Sequence, residues 1–326
     1  MKILKTLSRK TFSGKALISF AILVLLVIFP LFVDVEMAYS AYFVYNLLIY
    51  VALTVSWNLV SGFTGQFSLG HNAFFGLGAY TAAIAWRAGL VGYFDIRAFL
   101  LSAIVCALVA AAVGYPLLGR LRGFYFSLGT LALSEVFRLL SVNGGDLTGG
   151  AVGIQLPSRY YAGFMQYYYV ALIIMVFSVV MAIALFRVKI GLNLIAVRDD
   201  EIAAESIGIP TLGYKILAFS LSAIPPALCG SLWAYYIFHV QPSSAFGVSW
   251  GLYPPLMGII GGIGTMIGPL IGSILIGSML QLISLYAVTI HPLISGILLI
   301  VAVVILPKGV IGLSQAVRKT SHSKTG

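Results

Sequence analysis

The stretch Gln166-YYYVALIIMVFSVVMAIAL-Phe186 runs for 21 residues without a charge and is closed by Arg187. As an α-helix it rises ~30 Å, the thickness of a bilayer's hydrocarbon core. The pattern repeats on either side, at 16–33, 41–60, 67–86, 98–118, 124–142, 213–237, 251–263, 265–287 and 291–306. Of 326 residues, 60% are hydrophobic and 9% charged; soluble domains carry about 25% charged residues. Surface-to-volume scaling leaves a water-soluble fold nowhere to hide that much apolar surface. The expected fold is therefore an all-α integral membrane protein, a polytopic bundle of about eight to ten transmembrane helices. The 251–263 run is too short to cross and holds Pro254 and Pro255. It predicts a broken or re-entrant segment, which is tolerated where protein shields it from lipid.

The basic residues supply an orientation. With the N-terminus placed in the cytoplasm and ten alternating crossings, 15 of the 19 Lys and Arg residues fall on the inner side or its helix ends. Arg87, Arg97, Arg138 and Arg159 fall on the outer side. Positive-inside asymmetry favours this arrangement, with both termini cytoplasmic. Residues 1–15 are then a basic N-terminal segment, 16–306 the transmembrane domain, and 307–326 a basic tail. The run 16–33 is long for a signal-peptide core, and more spans follow it, so it is expected to be a retained first helix. The net charge of +10 is scattered over inner loops and predicts no nucleic-acid partner. Cys106 and Cys229 sit in apolar stretches, as packing residues do. No metal-ligand spacing, phosphate-binding loop or catalytic triad occurs, so no directly bound cofactor and no ATP hydrolysis by this chain are expected.

The longest inner connection, 187–212, holds four of the nine acidic residues. Within it Asp199 to Ile207 predicts one short helix, with an Asp for an N-cap, acids in the first turn, and a stop at Gly208 and Pro210. Ile202, Ala203 and Ile207 form a modest apolar stripe. A second unusual stretch is Asn58-LVSGFTGQFSLGHNAFFGLGA-Tyr80, in which glycines weaken helix by about 1 kcal/mol each. Its polar Gln66, Ser68, His71 and Asn72 must face protein or an aqueous path. A broken helix beside such a path and an interfacial helix cap both fit. Downstream, Gly258 and Gly262, and Gly264, Gly268 and Gly272, recur at spacing four. That spacing lets another helix approach closely, either within this chain or across a subunit contact. Glu135 and Arg138, three apart, predict a neutralised pair or a polar rim.

Three motifs carry a family resemblance. Ala203-Ala204-x-x-x-Gly208, with Glu201 one place from the usual acid, resembles the cytoplasmic coupling motif of ABC importer permeases. The fuller run Gly191 to Ile209 resembles the branched-chain amino acid permease family, in the M-type of its two paralogous subunits. The Gly-x-x-Gly-Gln-x-Ser-x-Gly-His run from Gly62 to His71 matches that family's signature at every position, and Leu147-Thr148-Gly149-Gly150 matches its Thr-Gly-Gly loop. The resemblance implies a type II-like ABC importer fold in a bacterial inner membrane, translocating branched-chain amino acids by alternating access. It implies Arg198, Asp199, Asp200, Glu201, Ala203, Ala204, Glu205 and Gly208 as the ATPase-coupling segment, the acids meeting basic groups of the ATPase. Gln66, Ser68, His71, Asn72 and Thr148 are the implied path residues. The implied partners are a paralogous permease in a heterodimer, two cytoplasmic ATP-binding subunits carrying ATP and Mg, and a periplasmic or lipoprotein substrate-binding protein. Urea, short amides or simple sugars are alternative cargoes of such permeases. An ion-coupled secondary transporter is the alternative from a different class.

Overall fold

A computed structural model describes residues 21–33, 39–161, 163–286 and 296–297. The two basic termini and the expected tenth span lie outside the described residues, apart from 296–297. The helices are α1 (Ala21–Phe32), α2 (Tyr39–Ser61), α3 (His71–Arg87), α4 (Ile96–Arg120), α5 (Phe124–Asn143) and α6 (Phe164–Arg187). They continue with α7 (Lys189–Asp199), α8 (Glu201–Ser206), α9 (Thr211–Ile237), α10 (Pro242–Ala245), α11 (Val248–Gly261) and α12 (Gly268–Tyr286). Among the described residues, six helices are long and apolar enough to cross a membrane: α2, α4, α5, α6, α9 and α12. The chain is a multi-pass, all-α membrane protein. The expected spans at 67–86 and 251–263 are shorter as helices, 17 and 14 residues, because α3 begins only at His71 and α11 stops at Gly261.

Helix α9 lies at the centre, packed against α2, α3, α4 and α6. Its close seam with α3 depends on two glycines. A Cβ on Gly230 would stand 1.9 Å from the Phe75 carbonyl oxygen, and one on Gly78 2.3 Å from that of Ala227. Pro225 and Pro226 lie inside α9. Pro226 has no N–H for the carbonyl of Ser222, four residues back. The hydroxyl of Ser56 on α2 donates to that carbonyl instead, so it stays satisfied within the bundle.

The two ends of the bundle differ. One, the basic end, carries Arg120 at the close of α4, Arg187 at the close of α6, and the α7–α8 connection. The other, the aromatic end, is knitted by Trp86, Tyr93, Tyr235 and Phe238, whose rings lie 5.3–6.3 Å apart in successive pairs, with the Tyr167 hydroxyl donating to the Tyr235 carbonyl at 3.1 Å. A short antiparallel pair, β1 (Ile154–Gln155) with β2 (His239–Val240), closes this end, Ile154 opposite Val240. The Glu135–Arg138 pair forms as expected, at 2.5 Å, on an exposed face of α5.

Candidate functional site

The signature stretch is a break in the helical pattern inside the bundle. After Ser61 the chain turns through Gly62 and Gly65, the latter at φ +72°, and then runs back alongside α2. Residues 67–70 are not helical, and side chains take over their backbone hydrogen bonds. Trp57 Nε1 donates to the Ser68 carbonyl at 2.7 Å, and Ser127 Oγ to the Phe67 carbonyl at 2.6 Å. The Leu69 amide donates to Thr130 Oγ1 at 3.0 Å, and the Ser68 amide to Ser61 Oγ at 3.1 Å. Ser127 and Thr130 lie three and six residues into α5, about 5–9 Å from its start. Irregular backbone at that depth needs such a lining, because water cannot satisfy it. Thr130→Val keeps the shape and orphans the Leu69 amide. It is expected to cost about 1–3 kcal/mol, read as a lower thermal unfolding midpoint of the purified protein. Thr81→Val removes only a second bond to the Leu77 carbonyl within α3 and should cost much less.

A second break faces the first. Between α9 and α11 the chain passes through Phe238 at φ +55°, then β2, α10 and Gly247. Asn72 Nδ2, in the first turn of α3, donates to the Phe246 carbonyl at 3.0 Å. Its Oδ1 is buried without a hydrogen-bond partner and lies over Gly251, where a Cβ would be 2.8 Å away. His71 is equally buried. Its Nδ1 meets Ser68 Oγ at 3.1 Å, while Nε2 has no partner. Two adjacent residues thus leave unpaired polar atoms where two discontinuous segments meet, a site where buried polar groups ordinarily find partners. Gln66, five residues before His71, is half-buried. Thr148 is not brought to this place. It donates to the Ser141 carbonyl, eleven residues beyond Thr130 along α5 and so ~16 Å farther on, where it closes the Thr-Gly-Gly loop at the aromatic end.

The expected single helix from Asp199 to Ile207 is α8, which starts two residues later and ends one residue earlier. Asp199 is the last residue of α7; the chain extends at Asp200, and the Asp200 carboxylate caps α8 by accepting the Ala203 amide at 3.0 Å. Gly208, at φ +86°, ends α8, and the Ile209 amide donates back to Ala204. Only glycine adopts that backbone without strain. Ala204 is buried, whereas Ile202, Ala203 and Ile207 are exposed, the two isoleucines at 70% and 77%. The acids are not free to form one charged face. Glu201 pairs with Lys215 of α9 at 2.5 Å, Asp199 with Arg198 at 3.0 Å, and Glu205 accepts the Thr211 hydroxyl at 2.6 Å. Lys215, itself part of α9, is 2% exposed and holds α8 against α9.

Arg198 connects this exposed hairpin to the interior. Its Nη1 donates to the Gly62 carbonyl at 3.3 Å. Its stem lies against Gly65 and its guanidinium against Gly264, where added Cβ atoms would stand 3.1 and 2.7 Å from Arg198 atoms. Asn58 ties the same two turns together: its Oδ1 accepts the Gly264 amide at 2.9 Å and its Nδ2 donates to the Thr265 carbonyl at 3.0 Å. Gly264 therefore belongs to a turn and not to a helical ladder with Gly268 and Gly272. Gly262 likewise caps α11, and Gly258 packs on Trp57. The close α11–α12 seam is made by Gly261, absent from the spacing-four pattern, with Gly268 and Gly272. All of these glycine contacts lie within this chain.

A family model described as the permease component of the branched-chain amino acid transport system matches residues 39–303. Among curated relatives, the high-affinity branched-chain amino acid transport system permease protein LivM of Escherichia coli K12 is 30% identical over 261 residues, covering 70% of this chain and 60% of that protein. Its Salmonella typhimurium counterpart is 29% identical with the same coverage. The ribose import permease protein RbsC of Bacillus subtilis is 25% identical over 57% of this chain and 60% of its own. The chain thus spans about 60% of the length of these relatives. No solved structure matches. The match over most of the chain, with both breaks and the α7–α8 hairpin inside it, places the protein in the branched-chain amino acid transport permease family.

Proposed function

We propose that this chain is the membrane-spanning subunit of an ATP-driven importer that carries branched-chain, hydrophobic amino acids across a bacterial inner membrane. The basic end faces the cytoplasm, as the placement of Lys and Arg favours. Separate ATP-binding subunits, which hold the ATP and Mg, dock on α8. The docking surface is chiefly apolar, made by Ile202, Ala203 and Ile207, since Asp199, Glu201 and Glu205 already hold partners within the chain. A second permease subunit completes the passage, and a substrate-binding protein delivers the amino acid to the aromatic end. The observation that carries this reading is Arg198. It links the hairpin bearing α8 to the two glycine turns that lead into α3 and α12. Motion imposed on α8 is passed to the turns, and from the first of them to the His71–Asn72 junction. Coupling of this kind needs an element whose equilibrium both sites bias, and two turns held by one guanidinium supply it. Glu135, the one acid inside a described span, is exposed and paired, which disfavours an ion-coupled mechanism.

The test is reconstitution with the two ATP-binding subunits, the second permease and the binding protein, followed by uptake of labelled leucine, with urea and ribose in parallel. Uptake of leucine that depends on ATP is expected; uptake of ribose or urea alone would reassign the cargo. Arg198→Ala is expected to lower uptake and the substrate-stimulated part of ATP hydrolysis about tenfold, the effect of losing ~1.5 kcal/mol of charged hydrogen bonding. Arg198→Lys should recover only part, because an ammonium cannot hold Asp199 and the Gly62 carbonyl through a planar fork. Full activity in Arg198→Ala would remove the guanidinium from the coupling route.

A further inference from the structure

Glu135 and Arg138 are the two charges inside α5. Glu135 lies ~12 Å from the end of that helix at the aromatic end and ~16 Å from its start, close to the membrane middle. Its side chain is 55% exposed, and that of Arg138 33%. Arg138 Nε donates to Glu135 Oε2 at 2.9 Å, and Nη2 to Oε1 at 2.5 Å. Among the described residues neither group has another hydrogen-bond partner. The pair does not hold α5 to the bundle; Ser127, Thr130, Ser134 and Ser141 lie on its buried side. Leu131 and Leu139, four residues to either side of Glu135, are exposed with it. A carboxylate open to lipid at this depth is costly, and pairing does not remove the cost of taking both ions out of water. A lone arginine here would snorkel toward the aromatic end, but Arg138 is bonded to a residue one turn nearer the membrane middle. This face of α5 therefore borders water or a second protein, not lipid.

The depth of the pair matches that of the second break. A Cβ on Gly70 would stand 2.1 Å from the Thr130 carbonyl oxygen, so the two chain segments are level there. From that contact α3 and α5 both run to the aromatic end. Gly76 is ~9 Å further on, and a Cβ there would stand 2.3 Å from the Phe246 ring. Glu135 is ~7.5 Å on from Thr130. Phe246 closes α10, which packs against α5, and Ser243 and Ser244 of α10 are exposed. Discontinuous backbone at membrane depth is tolerated where protein or water covers it. The charged pair and the exposed serines thus share one depth on adjoining elements.

Resting on the amino-acid cargo proposed above, we propose that this face of α5 lines the passage and that Glu135 and Arg138 bind the amino acid as its zwitterion. The carboxylate takes the ammonium group and the guanidinium takes the α-carboxylate. The pair is neutral as a whole, so a zwitterion replaces one set of charged hydrogen bonds with two. A cation or an anion would leave one protein charge without a partner, and urea and sugars carry neither charge. Leu131 and Leu139 offer apolar contact to a hydrophobic side chain.

The test uses Leu131→Cys in the permease pair assembled with its ATP-binding subunits in nanodiscs, where reagents reach both faces. Cys106 and Cys229 are buried, so within this chain only the introduced thiol should react with a water-soluble maleimide, read by mass spectrometry of the peptide. The substrate-binding protein is left out, so that its docking cannot cover the thiol. Leucine is expected to slow labelling, about tenfold at ten times its half-protecting concentration by mass action. 4-Methylpentanoate lacks the amine and 3-methylbutylamine lacks the carboxylate. Each should need about tenfold higher concentration or more, the scale of one hydrogen bond to a charged group. Glu135→Gln should raise the half-protecting concentration of leucine about tenfold, and exchanging the pair, E135R with R138E, should recover part of the loss. Gel filtration checks assembly, and the comparison of the three ligands needs no change at either charge. A thiol that lipid or the second permease keeps from reacting overturns the site. So does labelling that leucine leaves unchanged, that all three ligands slow equally, or that leucine slows as well in Glu135→Gln. If the complete transporter imports ribose and no leucine, the cargo reading falls separately, and protection of the thiol by leucine still decides the site.

Discussion

Gly230→Ala is expected to destabilise the permease by about 3 kcal/mol or more, while Gly213→Ala on the same helix is expected to stabilise it by up to about 1 kcal/mol. The chemical change is one methyl group in both cases, so helix propensity favours both. The difference is the neighbour. At Gly213 nothing stands within 4 Å of the new Cβ. At Gly230 the Cβ would be 1.9 Å from the Phe75 carbonyl oxygen and 3.0 Å from the Ala79 amide nitrogen. Both are backbone atoms, so no rotamer change relieves the overlap, and α9 must separate from α3. That seam holds α3 in place over the break at residues 67–70, so Gly230→Ala should also lower transport. Membrane helices associate through such close approach, since lipid gives apolar surfaces little reason to leave it. Thermal unfolding of the two variants in the same detergent checks the pair. Equal midpoints would mean that the α3–α9 seam is not as close as this geometry requires.

The membrane fold was legible in the sequence because it rests on length and composition. The runs underlying α4, α5, α6 and α9 begin and end within a few residues of the helices. The start of α3 was not legible. Phe67 and Leu69 continue the hydropathy of the helix that follows, and the side chains of Trp57, Ser127 and Thr130, not the local sequence, hold the backbone there out of the helix. The glycine spacing misled for a related reason. A period of four describes one helix face only while the chain remains helical, and Gly264 lies in a turn. The polarity of Ser68, His71 and Asn72 did mark the junction, but its other half, Phe246 and Gly247, carries no polar side chain and meets Asn72 through carbonyls. Every residue has a carbonyl, so sequence holds no sign of that contact. Arg198 was legible as part of an exposed, charged connection, yet its bond to Gly62 spans 136 positions. The acidic residues of that segment were legible as charges and not as pairs, because the partner of Glu201 lies beyond the Gly208 turn on a different helix.

That pair yields the sharpest separation of stability from coupling. Lys215 is 2% exposed and Glu201 23%, with 2.5 Å between them. Removing one partner of a buried pair strands the other and costs about 3–5 kcal/mol. The two losses should differ. Glu201→Leu leaves an ammonium with almost no access to solvent, whereas Lys215→Met leaves a carboxylate that is partly hydrated. Glu201→Leu is therefore expected to be the more destabilising, in chemical unfolding of the purified protein in micelles. The double variant replaces both groups with apolar ones of similar reach and should recover most of the loss, since an apolar pair needs no solvation. Equal costs for the two single variants would mean that burial does not govern the pair. Transport should follow a different order. In the wild type the charge pair gives α8 a directional tie to α9, while Arg198 ties the same hairpin to the glycine turns. The double variant retains the second tie and replaces the first with a non-directional contact. It is expected to unfold near the wild-type midpoint and yet take up substrate several-fold more slowly, on the order of the 1–2 kcal/mol a charged hydrogen bond contributes. Wild-type uptake in the double variant would assign the pair to folding alone and leave Arg198 as the route by which motion of α8 enters the bundle.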